Sequence, residues 1–76
     1  PLYRLLYGLG IRFVGETTAK TIANHVTHLL ELKHYTIAQL MELEDIGPKV
    51  ATSIYEFFQA PESITLLEQL ETLGLQ

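Results

Sequence analysis

Apolar residues recur along this chain at helical spacing, and the spacing breaks at regular places. Leu2, Leu5, Leu6 and Leu9 fall at i, i+3, i+4 and i+7, the stripe of an amphipathic helix. Gly8 and Gly10 interrupt it and lead into a first turn. From Glu16 the pattern resumes through Ala19, Ile22, Ala23, Val26 and Leu29/Leu30, predicting a second helix of about four turns. Thr36 with Gln39 forms a capping box, which predicts a short third helix carrying Ile37, Leu40, Met41 and Leu43. After a second turn, Glu44 to Gly47, Pro48 takes the first helical position, where its missing N–H costs nothing. Val50, Ala51, Ile54, Phe57 and Phe58 mark the inner side of that fourth helix. Ala60-Pro61 opens a fifth, with Ile64, Leu67, Leu70 and Leu73 inward and Gly74 as its C-cap. No stretch alternates with period two, so the chain is predicted to be all-α, with five short helices.

The two turns are copies of one another. Gly15/Gly47, Ala19/Ala51 and Ile22/Ile54 are identical pairs 32 positions apart, and Val14/Ile46 and Ile11/Leu43 are conservative pairs at the same offset. A unit of this length cannot bury its own apolar face, so two copies stacked together are expected to share a core. Each copy is an aliphatic-Gly step followed at once by a helix with a small residue on its inner side. That shape suits holding a phosphate with backbone N–H groups at a helix start. A plainer reading is a pair of compact helical hairpins whose glycines supply positive φ.

Size and charge narrow the choice. Seventy-six residues, 47% apolar, make one small globular domain close to the lower limit for a self-sufficient core. The chain begins at Pro1 and not Met, as a piece of a longer protein would. No run is long enough to cross a membrane. The absence of cysteine removes disulfides and thiolate metal sites. A net charge of −4 argues against an arginine-rich DNA groove binder. It leaves room for a module that uses amides and a few local cations. Arg12, Lys20 and Lys49 lie in or beside the turns, whereas Glu62, Glu68 and Glu71 gather near the C-terminus. Glu16, Glu44 and Asp45 run against this separation.

Ile46-Gly47-Pro48-Lys49-Val50-Ala51 resembles the aliphatic-Gly-x-x-x-Ala signature of the helix-hairpin-helix motif. The run Leu9-Gly10-Ile11-Arg12-Phe13-Val14-Gly15-Glu16-Thr17-Thr18-Ala19-Lys20 is similar to a narrower set, the helix-hairpin-helix domain of bacterial NAD-dependent DNA ligases. Glu56-Phe57-Phe58 and Leu70-Glu71-Thr72-Leu73-Gly74 extend that likeness to essentially the whole chain. The resemblance implies a single domain over residues 1–76, with motif one at about 2–30, motif two at about 36–59 and a closing helix at about 61–73. It implies sequence-nonspecific binding of nicked duplex DNA on its minor-groove side, as the gripping module of a ligase in replication and repair. Carried over by position, the DNA-contacting residues are Arg12, Val14, Gly15, Glu16, Thr17, Thr18, Lys20, Ile46, Gly47, Lys49 and Thr52. Asp45 departs from the family pattern, which more often has glycine there; its carboxylate repels phosphate unless it turns away to cap the next helix.

The parent would use NAD, magnesium and a structural zinc, and would sit in the bacterial cytoplasm at the nucleoid. Other domains of the ligase are its implied protein partners, with no membrane and no small-molecule substrate. The fragment itself is expected to be no enzyme and to hold no cofactor. None of Lys20, Lys33 and Lys49 stands in the Lys-x-Asp-Gly context of nucleotidyl transfer, and Asp45 is the only aspartate. His25 and His28, expected on one helix at i, i+3, and His34 lack a third converging ligand, so surface or cap roles are expected. Tyr3, Tyr7, Tyr55, Phe57 and Phe58 are assigned to the core, and Phe13 to the tip of the first turn. Two other readings stand beside this one: a protein-interaction domain resembling sterile-alpha-motif modules, or the same tandem motif from another repair or recombination protein.

Overall fold

The leucine stripe folds as expected. In the computed structural model, which describes residues 1–73, the first helix, α1, spans Leu2–Gly8 and buries Leu6 completely. Its last carbonyls, on Leu6 and Tyr7, accept the N–H groups of Leu9 and Gly10, and Gly10 then turns the chain at φ +71°.

α2 runs Glu16–Ala23, half the predicted length. Val26 and Leu29 are buried, as their spacing promised, but from a separate segment. The β-branched pair Val26-Thr27 weakens helix continuation. In addition, the Glu31 carboxylate accepts the N–H groups of Thr27 and His28 at 3.0 and 2.8 Å. That carboxylate anchors a new helix start, and a 3-10 helix follows over Leu29–His34. His25 and His28 therefore do not share a helix.

α3, Ile37–Met41, carries the Thr36–Gln39 box in both directions: Gln39 N–H donates to Thr36 Oγ1 at 3.1 Å and Thr36 N–H to Gln39 Oε1 at 2.9 Å. Leu40 is buried, and Met41 faces solvent. α4, Pro48–Gln59, buries Ala51, Ile54 and Phe58. α5, Pro61–Thr72, buries Ser63 and Leu67 and packs on α4 and the 3-10 helix. Leu73, expected inward, is 71% exposed because α5 ends one residue earlier; Gly74 lies outside the described residues. Tyr7 is also exposed, against its core assignment.

The five α-helices and the added 3-10 helix contribute to one apolar cluster, with α1 paired on α2 and α3 on α4. Ala19 and Ala51 are both fully buried. A larger side chain at either would have to displace its neighbours. No helix among the described residues is long and apolar enough to cross a membrane.

Candidate nucleic-acid interface

The two bends have the same backbone. Val14 N–H donates to Ile11 C=O at 3.1 Å and Ile46 N–H to Leu43 C=O at 3.3 Å. Ala19 N–H reaches Gly15 C=O, and Ala51 N–H reaches Gly47 C=O, both at 2.9 Å. Val14 and Ile46 are buried with their amides already paired. Their N–H groups are spent on closing the bend.

Glycine is not there for positive φ. Gly15 sits at φ −91°, ψ −171° and Gly47 at φ −89°, ψ −179°, extended values open to any residue. A Cβ added at either would meet nothing within 4 Å. As helix N-caps, both positions would favour Ser, Thr, Asp or Asn, whose side chains cap the helix. Neither strain nor internal packing asks for glycine at either position. The left-handed residues stand two places earlier, at Phe13 (φ 67°) and Asp45 (φ 63°), again 32 apart.

Beyond each glycine the first turn of helix offers unpaired amides. Gly15, Glu16, Thr17 and Thr18 carry no N–H hydrogen bond among the described residues, and neither do Gly47, Lys49 and Val50. Pro48 has no N–H to give. Gly15, Glu16, Thr17, Gly47 and Lys49 are exposed, and Thr18 and Thr52 half-buried.

The bends also meet. Ser53 Oγ, on α4, donates to the Arg12 carbonyl at 2.7 Å, across 41 residues of chain. Arg12 and Lys49 approach the Phe13 ring, with Cζ 5.2 Å and Nζ 5.5 Å from its centre. A shallow groove runs between them, and its walls include Arg12, Phe13, Gly47, Lys49, Thr52, Ser53 and the acidic Glu56. Sequence reasoning had not placed Phe13 or Ser53 among the site residues. Phe13 had left a trace, an aromatic at a turn tip beside a cation; Ser53 left none, because its partner is remote in sequence.

A second cationic group forms where α1 lies on α2. Lys20 Nζ sits 5.0 Å from the Tyr3 ring centre and Arg4 Cζ 6.0 Å from it. The Arg4 guanidinium is held above its usual pKa, first by its hydrogen bond to Tyr3 Oη and then by charge, including that of Glu16. Glu16 thus has a nearby cation for its charge, and Arg4 joins the expected cations. Asp45 does not cap α4, whose N-terminus receives no side-chain bond, and its carboxylate stays exposed. There is no thiolate, and no three His, Asp or Glu side chains converge among the described residues.

Comparison with known proteins agrees with this geometry. Residues 4–67 match the family described as the helix-hairpin-helix motif. The chain is 57% identical over 75 residues, 99% of its length, to a DNA ligase of Sulfurihydrogenibium azorense. It is 52% identical over 75 residues (99% of the chain) to a DNA ligase of Aquifex aeolicus. A DNA ligase of Bacillus licheniformis is 46% identical over 74 residues, 97% of the chain. The chain spans only 10–11% of the length of these relatives. Its paired bends, their shared backbone and these matches place the chain in the helix-hairpin-helix motif family.

Proposed function

We propose that this chain, as one domain over residues 1–76, binds duplex DNA without sequence preference, through backbone phosphates on the minor-groove side. It is the gripping module of an NAD-dependent DNA ligase acting on nicked duplex in bacterial replication and repair. The observation that carries the reading is the pair of exposed glycines with no internal reason to be glycine, each followed by unpaired amides. A phosphate oxygen needs close approach to the backbone, and a helix N-terminus favours its charge. Gly15, Glu16, Thr17 and Thr18 donate from the first bend, and Gly47 and Lys49 from the second. Arg12, Lys20 and Lys49 add charge, with Thr52 on the groove wall. Bond-forming chemistry, with its NAD, magnesium and zinc, belongs to other parts of the parent, with which this module cooperates near the nucleoid.

Neutralising about four phosphates gives a slope of log K against log salt of roughly −3 to −4. Fluorescence anisotropy with labelled nicked duplex tests this. Gly15→Asp sets a carboxylate where the phosphate comes closest and is expected to abolish binding, while Lys20→Glu weakens it and flattens the slope. Unchanged affinity in both variants removes the bends from the mechanism.

A further inference from the structure

Phe13 occupies a conformation that its side chain disfavours, and burial does not compensate. Its φ of 67° suits Gly, Asn or Asp far better than a bulky aromatic residue. The residue is 50% exposed. A strained residue held at a site is a pointer to function. The ring stands at the tip of the first bend, with Arg12 and Lys49 at 5.2 and 5.5 Å from its centre, and it lines the same groove as Gly47, whose amide is unpaired.

We propose that Phe13 is an apolar wedge. While the two bends hold phosphates, its ring enters the minor groove and packs on the sugar and base-edge surface between them. This rests on the DNA-binding reading above. The surface that accepts an aromatic ring flanked by two cations must itself be apolar between negative rims. A duplex groove has that profile: phosphates line its edges, and sugars and base edges its floor. Insertion of an apolar side chain partly unstacks a base step. The cost is lowest where stacking is already interrupted, so the contact favours a nick over continuous duplex. Asp45, the residue at the matching place in the second bend, has the same left-handed backbone and no apolar surface to insert. The wedge therefore belongs to the first bend alone.

The test compares Phe13→Asn and Phe13→Tyr with the unaltered chain on nicked and continuous duplexes over a range of salt. Asn is at ease at positive φ, so circular dichroism and thermal unfolding should show an intact fold; Tyr keeps the ring. Phe13→Asn is expected to bind nicked duplex roughly tenfold more weakly. Its loss on continuous duplex should be smaller, its salt slope unchanged, and Phe13→Tyr should bind as the unaltered chain does. Equal binding by Phe13→Asn, with binding still abolished in Gly15→Asp, overturns the wedge and leaves the DNA reading standing. A flattened slope in Phe13→Asn also overturns it, since the ring would then serve only to hold Arg12 and Lys49. If the unaltered chain binds neither duplex, the DNA reading falls and takes the wedge with it.

Discussion

The Ser53–Arg12 hydrogen bond is the tie between the two bends, and removing it separates their geometry from their individual folding. Ser53→Ala deletes a 2.7 Å bond from α4 to the tip of the first bend. The Arg12 carbonyl is on an exposed residue, so water replaces the lost donor and the penalty for a buried orphan does not apply. The net loss is that of an ordinary intramolecular bond, about 1 kcal/mol. For a domain of this size, that lowers the thermal midpoint by about 4–8 °C. The repeat supplies its own control. Thr21 is the residue 32 positions before Ser53, and its hydroxyl bonds Thr17 C=O of its own helix at 3.2 Å. Such back-bonding adds little, so Thr21→Ala should stay within about 0.5 kcal/mol. Thermal unfolding followed by circular dichroism measures both. Hydrogen exchange at the Val14 amide, which is bonded to Ile11 C=O at 3.1 Å, reports on the tip and should quicken in Ser53→Ala only. Equal midpoints for the two variants, with unaltered exchange at Val14, would refute the claim that α4 holds the first bend in place.

Other outcomes follow from the same geometry. Asp45→Asn keeps a residue at ease at φ 63° and removes a carboxylate beside the second bend. DNA affinity in the anisotropy assay should rise about two- to fivefold at low salt, with the gain shrinking as salt screens it. Ala51→Leu forces a larger side chain into a site of 0% exposure and should cost about 1–3 kcal/mol, read as a fall in the urea midpoint.

Local signals in the sequence read correctly where a residue's partner lies within a turn of it. Thr36 with Gln39 and Pro48 at a helix start are of this kind, and the offset of the repeat located both bends. What escaped was set by longer reach or by backbone shape. Val26 and Leu29 keep helical spacing although the chain has left the helix, because the Glu31 side chain, and not apolar periodicity, decides where the next turn begins. The plainer reading gives positive φ to the repeated glycines, but Gly15 and Gly47 are extended and it falls two places earlier, where Phe13 gives no propensity signal. The pairing of Lys20 and Arg4 on Tyr3 depends on α1 lying across α2. No single segment encodes that crossing.

The left-handed residue at the tip of each bend has a consequence for how such duplicated units diverge. Phe13 and Asp45 trace the same turn with side chains of opposite character, so the main chain tolerates either without altering its path. The tip is therefore an interchangeable socket on a constant frame. An ancestral pair of equal halves can diverge there by single substitutions, one half carrying an aromatic ring and the other a carboxylate, without any change to the interior.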